Sequence, residues 1–257
     1  MQLLRRRLDQ LSSGSPAADL GDILVFAGPG AGKTLGALLG FSSMRREGHL
    51  DQFVVFCHRT SILEQWKQAA AGLGLSLEEW PCTDAAAKAA DGLLVTYQGA
   101  GRQLKPLQQQ LGQLQADRCM AIADEAHHLG LDPEDPKAPA WGQTFQALTE
   151  SFKLRVGLTG TPFRADNLGF CAARRIRIVQ DGMVMEQIRP DLCVEPRDLI
   201  AAGDVRPLEF RFQDGWVEHS REGMPDRDVS PLSAEHRESW RARNLRRAIR
   251  LADSSSI

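Results

Sequence analysis

Three short segments of this 257-residue chain hold residues whose types and spacing could do chemistry. The first is Gly28-Pro29-Gly30-Ala31-Gly32-Lys33-Thr34, entered directly from the apolar run Ile23–Ala27. Glycines at this density let backbone N–H groups converge on phosphate oxygens. A helix opening at Lys33 would add its positive dipole end. Lys33 would neutralise the β- and γ-phosphates of a nucleotide, and the Thr34 hydroxyl would bind Mg2+. Ala27 stands where the strictest form of the pattern has glycine, a position that tolerates a small residue. The second segment is Asp124-Glu125-Ala126-His127, at the end of the apolar run Cys119–Ala123. A carboxylate at a strand's carboxyl end beside the phosphate loop can hold Mg2+ through water, which suits Asp124. Glu125 would then face the γ-phosphate, where it can orient and deprotonate an attacking water. Taken alone, Asp-Glu after a strand is a solvated turn. The phosphate loop upstream and the Ala126-His127 that follows turn it toward catalysis. A zinc reading of His127 and His128 fails because the spacing is not HExxH. The third segment runs from Gly157 to Arg164 and carries Thr159, Gly160 and Thr161.

These residues need a scaffold that brings strand ends together. The runs Ile23–Ala27, Phe53–Cys57, Leu93–Tyr97, Cys119–Ala123 and Leu154–Leu158 each read as a strand. Continuous apolar runs suit strands buried on both faces, the mark of a parallel sheet. Between them Lys33–Arg46, Ser61–Ala71, Thr83–Ala90, Gln103–Gln115 and Trp141–Phe152 read as helices. Thr60 or Ser61 could cap the second of these, with Glu64 placed for a capping box. The alternation predicts an α/β fold: a mainly parallel sheet with helices on both faces and ligands at the carboxyl ends of the strands. Asp132–Ala140, with three prolines, reads as a loop. After Asp166 the rhythm fades. Glu195–Ala202 reads as a short helix, Val205–Phe212 as a strand-like run, Pro225–Pro231 as irregular and Ser233–Ala252 as an arginine-dense helix.

Composition bounds the class. Hydrophobic residues make 42% and charged residues 25% of the chain, as in an ordinary globular protein with a sizeable core. The net charge of −2 gives no global basic field. A local basic groove is enough for phosphate binding, and most of the positive charge is arginine, the better residue for bidentate contacts. Five scattered cysteines, never in a CxxC pair, give neither a disulfide framework nor a zinc site, and Cys57 and Cys119 read as buried small hydrophobes. No signal-peptide core and no run of about 18 apolar residues is present, so the expectation is a cytoplasmic protein with no membrane partner.

Gly28–Thr34, Asp124-Glu125-Ala126-His127 and Gly157–Arg164 together resemble the superfamily 2 DEAD/DEAH-box helicases. The resemblance points to the branch of DNA translocases that includes motor subunits of type I and type III restriction enzymes. Order and spacing match over residues 20–165. The resemblance implies a RecA-like P-loop NTPase lobe over residues 1–178, with ATP and Mg2+ as cofactors. Residues 179–257 would be a linker and the start of an extension or second lobe. It implies catalytic roles for Lys33, Asp124, Glu125 and His127, and a coupling role for Thr159, Gly160 and Thr161 between the γ-phosphate and the nucleic acid. Phe53–Trp66 is similar to the family's motif Ia, which touches the nucleic-acid backbone; here His58 and Arg59 stand where the family often has Pro-Thr. Leu93–Gln98 is similar to the segment with a strand-contacting threonine, Thr96, beside Tyr97. The plain account of these positions is a strand end with a cap.

Glu195–Leu208 resembles the linker toward the second lobe of such motors. The family's glycine- and arginine-rich segment, which supplies an arginine finger, has no counterpart after Arg164; Arg241–Arg247 has the charge without the glycine. The adenine-reading glutamine motif of the RNA helicases is also missing its surroundings at Gln10, which favours DNA over RNA. The expected partners are single- or double-stranded DNA, with RNA as the alternative, and a second RecA-like lobe in cis or in trans. The expected activity is an ATP-dependent helicase or translocase. The rival is an ATP-binding regulatory or scaffold module, which would not need Glu125.

Overall fold

The computed structural model describes residues 2–14, 20–131, 140–161, 169–170, 175–180, 183–205, 217–221 and 224–229. The chain divides into two units, Met1–Arg206 and Pro207–Ile257.

In the first unit the elements follow in the order α1 (Gln2–Ser12), β1 (Asp22–Ala27), α2 (Lys33–Arg46), β2 (Gln52–Cys57), α3 (Ser61–Ala71), β3 (Leu77–Glu79), α4 (Asp84–Ala89), β4 (Gly92–Thr96), α5 (Tyr97–Arg102) and α6 (Leu104–Leu111). Then come β5 (Cys119–Asp124), β6 (Gly130–Leu131), α7 (Ala140–Thr149), β7 (Leu154–Thr159), β8 (Gly169–Phe170), β9 (Arg175–Gln180), β10 (Met183–Ile188), β11 (Leu192–Val194) and α8 (Pro196–Ala202). Seven strands form one sheet in the order β11-β1-β7-β5-β2-β4-β3, every pair parallel. This is the α/β, RecA-like arrangement, and the five apolar runs supply its five central strands.

Side-chain alternation along each strand makes two cores from one sheet. Phe53, Val55 and Cys57 of β2 point into the core shared with Leu8, Phe41 and Trp66 of α1, α2 and α3. Val54 and Phe56 point into the other, with Leu107 of α6 and Phe145 of α7. All six residues of β5 are buried, so the strand that ends in Asp124 is the most enclosed of the sheet's strands. Cys57 and Cys119 are buried within the sheet, and burial pushes the Cys119 thiol up to about 12.

Several local expectations are corrected. Neither Thr60 nor Ser61 caps α3 through its side chain: Thr60 has helical backbone angles, φ −63° and ψ −31°. Glu64 instead accepts a bond from Gln68 Nε2 at 3.0 Å, so no capping box forms. In the second unit β12 (Val217–Arg221) and β13 (Met224–Val229) pair antiparallel, so most of the stretch read as irregular at Pro225–Pro231 is strand. β9 and β10 likewise pair as an antiparallel hairpin where the βα rhythm stops. The readings at 132–139, 206–212, 233–252 and 241–247 lie outside the described residues.

Beyond residue 178, the expected edge of the lobe, β11 still joins the sheet beside β1. Asp191 just before β11 is paired with Arg7 of α1, and both side chains are almost fully buried. The second Asp191 oxygen accepts the Leu24 N–H at 3.0 Å. A paired buried charge of this kind costs several kcal/mol to break from one side, because the survivor is left uncompensated. The N-terminal helix, the phosphate-loop strand and the connection toward α8 are thereby tied at one edge.

Candidate functional site

Parallel strands bring all their carboxyl ends to one side, and the three segments singled out above meet there. The loop Gly28–Gly32 leaves β1 and enters α2. Gly30 and Gly32 have φ of 77° and 73°, a left-handed conformation that costs other residues about 1–2 kcal/mol. A Cβ on Gly30 would stand 3.0 Å from Val205, and one on Gly28 would stand 3.6 Å from Pro196, so the residues around α8 lie against the loop. Lys33 Nζ donates to the carbonyls of Ala27 (2.9 Å) and Gly28 (3.2 Å), inside the loop's curve. Thr34, in the first turn of α2, is half-buried. Gly160 closes the space from the other side: a Cβ there would be 3.8 Å from Lys33 Nζ and 3.6 Å from the Ala27 carbonyl.

Asp124 ends β5 with 7% of its surface exposed. Burial raises its pKa, as does the charge of Glu125; a Trp66 hydrogen bond, the Glu125 N–H and Lys33 pull the other way. Oδ2 accepts Trp66 Nε1–H at 3.0 Å and Oδ1 accepts the Glu125 N–H at 3.1 Å. The Asp124 carbonyl accepts the Tyr97 hydroxyl at 2.8 Å.

Glu125 has φ 50° and ψ 54°, the left-handed region, and among the described residues no other non-glycine has positive φ. Such strain persists only where the surroundings over-determine it, and it gathers at working sites. Here it turns the carboxylate away from the strand, 3.3 Å from His127 Nδ1. His127 Nδ1 also lies 3.0 Å from both Thr159 Oγ1 and Thr161 Oγ1. Thr159 gives its one hydroxyl proton to the Thr161 carbonyl (2.9 Å) and accepts the Thr161 N–H (3.0 Å). Toward His127 it therefore offers a lone pair, while the donor and acceptor roles of Nδ1 follow the tautomer of the ring.

Beyond His127 a row of rings leads across the sheet's edge. His127 and His128 centroids are 4.3 Å apart, and His128 and His58 are 4.6 Å apart. Trp141 stacks on Tyr97 at 5.8 Å and meets His128 edge-on.

The sequence profile of the family described as type III restriction enzyme, res subunit, matches residues 2–164. The chain belongs to that family. It is thus a superfamily 2 helicase-type chain, and the seven-stranded unit is its first RecA-like lobe. An uncharacterized Mycobacterium tuberculosis protein is 29% identical over 228 residues, 86% of this chain and 36% of that one. An uncharacterized Mycobacterium leprae protein is 30% identical over 226 residues, with the same coverage. This chain therefore spans about a third of the length of the curated relatives it matches. Among solved structures, the Sulfolobus solfataricus SWI2/SNF2 ATPase core in complex with double-stranded DNA gives a TM-score of 0.44 at 21% identity, covering 62% of this chain and 30% of that one. The UvsW helicase from bacteriophage T4 gives 0.41 at 14%, covering 55% and 48%.

In this res-subunit lobe Lys33, Asp124, Glu125, His127, Thr159, Gly160 and Thr161 come together at one site. The nucleic-acid candidates divide. Arg59 is exposed and His58 is half-buried, at the end of β2. Thr96 spends its hydroxyl as the cap of α5, accepting the Gly99 N–H at 3.0 Å. Tyr97 is 1% exposed, with its hydroxyl on Asp124, so its side chain has no surface to offer a strand. Its place is inside the site's wall. Arg164 lies outside the described residues. Sequence reasoning placed Trp66 only as the end of the motif Ia-like segment and missed its bond to Asp124, because a tryptophan on an amphipathic helix carries no sign of a partner beyond the core it fills.

Among the described residues no helix is long and apolar enough to cross a membrane, and no cluster of three or more His, Cys, Asp or Glu could hold a metal unaided. Mg2+ keeps several waters and is held by one or two protein groups plus substrate phosphates. A single buried carboxylate beside a lysine-bearing phosphate loop fits that demand.

Proposed function

We propose that this lobe binds ATP with Mg2+ and hydrolyses it to drive movement along nucleic acid, with DNA the preferred track. The observation that carries the reading is the meeting of Lys33, which follows β1, with Asp124 and Glu125 at the end of β5, on the carboxyl side of one parallel sheet, with Glu125 held in a strained conformation against His127. A pure binding module has no use for that strain. Bound there, Mg2+ and the triphosphate supply an electrophilic phosphorus with its charge partly neutralised.

The chain's own groups do the rest. The loop's N–H groups and Lys33 would hold the β- and γ-phosphates, and Thr34 and Asp124 would hold the metal. Glu125 takes a proton from the attacking water at its carboxylate. His127 Nδ1 stands beside that carboxylate and within hydrogen-bond reach of the Thr159 and Thr161 hydroxyls, which connects the position of Glu125 to the segment after β7. Nucleic acid would meet Arg59 and His58 beyond β2. A complete motor also needs a second RecA-like lobe, in cis or in trans, to close over the nucleotide.

Lys33→Ala tests the nucleotide site. The substitution removes a charge-assisted contact of about 1.5–3 kcal/mol, so affinity for a non-hydrolysable ATP analogue should fall about ten- to a hundredfold. Calorimetric titration of both proteins measures it, and equal affinities would refute the assignment. Binding to single-stranded DNA should be weak and indifferent to sequence. The log–log slope of affinity on salt should be about −0.7 for each phosphate neutralised, and Arg59→Ala should remove about one such increment. Fluorescence anisotropy over a salt series reads both slopes. An unchanged slope would take Arg59 out of the interface.

A further inference from the structure

Trp66 sits on α3, fully buried between that helix and the sheet, 58 residues away in sequence from the carboxylate it touches. Its indole N–H is a donor with no acceptor capacity, so the bond to Asp124 Oδ2 has one direction only. We infer that Trp66 is a positioning residue for the magnesium site: its N–H fixes the plane of the Asp124 carboxylate so that the remaining oxygen lone pairs face the metal's water shell. The inference rests on the nucleotide reading above and names a residue through which that site works.

A carboxylate offers about four lone-pair sites. In Asp124 one is taken on Oδ1 by the Glu125 N–H and one on Oδ2 by Trp66. The first donor belongs to the same turn of backbone and moves with it. The second comes from a different element, across the core, and is what stops the carboxylate rotating about its Cβ–Cγ bond. Asp124 is also almost sealed from solvent, so water cannot readily replace a lost donor. The Tyr97 hydroxyl makes the same kind of bond one step back, holding the Asp124 carbonyl and so the end of β5. Because His58 and Arg59 lie in the short connection from β2 to α3, which starts at Ser61, the helix that holds the Asp124 carboxylate follows the proposed nucleic-acid segment.

A role in packing alone and a role in positioning differ in what magnesium does. Trp66→Phe keeps an aromatic ring and removes the N–H. Affinity for a fluorescent non-hydrolysable ATP analogue is measured in EDTA and across a Mg2+ titration, with thermal unfolding recorded alongside. The expected result is unchanged affinity in EDTA and a half-saturating Mg2+ concentration raised about tenfold or more, the loss of one hydrogen bond to a charged group. An unchanged Mg2+ dependence in a folded Trp66→Phe protein would overturn the inference. Affinity falling equally with and without Mg2+ would overturn it too, since that is what general loosening of the site produces. Should Trp66→Phe fail to fold, the same titration is run with 3-benzothienylalanine at position 66, which keeps the indole's shape and replaces N–H by sulfur, and the same two outcomes decide. The wild-type protein separates this inference from the reading it rests on. Absence of any Mg2+-dependent binding there would remove both, whereas normal wild-type binding with an unaffected variant would remove this one alone.

Discussion

Assayed with a second RecA-like lobe supplied, Glu125→Gln is expected to bind Mg-ATP as the unaltered protein does and to lose about 10²–10⁴ in nucleic-acid-stimulated turnover, the usual worth of a positioned general base. The amide matches the carboxylate in size and can still bond to His127 Nδ1, so the geometry around residue 125 should survive. Glutamine pays the same cost as glutamate for φ near 50°, so the two proteins should unfold at the same temperature. What is lost is the ability to take a proton from water. Phosphate release under single-turnover conditions, with analogue binding measured in parallel, separates the effects. A Glu125→Gln protein that hydrolyses ATP at the original rate would show that the base is elsewhere. One that no longer binds nucleotide would show that Glu125 serves the ground state instead. His127→Ala should give a smaller loss of the same kind, because it frees the carboxylate without removing it.

The sequence made the scaffold legible where a single physical signal dominated. Strands buried on both faces must be apolar throughout, so five of the seven sheet strands stand out as runs, and α2 and α3 match their expected bounds to the residue. The glycine-rich loop stood out for the opposite reason: its glycines take the positive φ and close approaches that a loop turning from β1 into α2 requires. Short elements were not legible. β3 and β11 have three residues each, too few for a period, and are strands because neighbours in the sheet accept their backbone bonds. α1 was not legible either, although Leu4, Leu8 and Leu11 recur at helical spacing; the three arginines at positions 5–7 masked an amphipathic pattern whose apolar side packs on α2.

Within the site, identity was easier to read than direction. Thr96 and Tyr97 lie at the strand end expected of them, and only coordinates show what their hydroxyls touch: Thr96 caps α5, and Tyr97 points back at β5. A phenol that can donate to a buried carbonyl is held more firmly inside than on a strand of DNA, where the same bond competes with water. Trp66 hid for a related reason. A side chain that fills a core and also donates one bond looks, in sequence, like a side chain that only fills a core. The strain at Glu125 has no sequence signature at all, since glutamate is not a residue that favours the left-handed region.

The largest expected effect comes from what this lobe needs to complete its chemistry. In the proposed mechanism the groups of this lobe serve the ground state and the nucleophile: Lys33 on the phosphates, Asp124 for the metal, Glu125 for the water. The transition state spreads charge over the γ-phosphoryl oxygens, and an arginine finger aimed at that charge is worth about 10³–10⁵ in rate. The sequence after Arg164 has no glycine- and arginine-rich segment of the family's kind, and Arg241–Arg247 carries the charge without the glycine. A nucleotide on an uncovered lobe also stays open to water, which weakens each electrostatic contact made to it. The 257-residue chain alone is therefore expected to bind ATP and turn it over very slowly, with or without DNA. Joining a second RecA-like lobe in the same chain, or adding it in trans, should raise DNA-stimulated turnover about 10³–10⁵-fold, and Glu125→Gln should abolish that gain while sparing binding. Phosphate release measured for lone and paired lobes, each with and without DNA, makes the comparison. Brisk turnover by the lone chain would mean that an arginine of its own reaches the γ-phosphate, with Arg241–Arg247 the first segment to substitute. Silence from the paired lobes would mean that the site binds nucleotide for some purpose other than work.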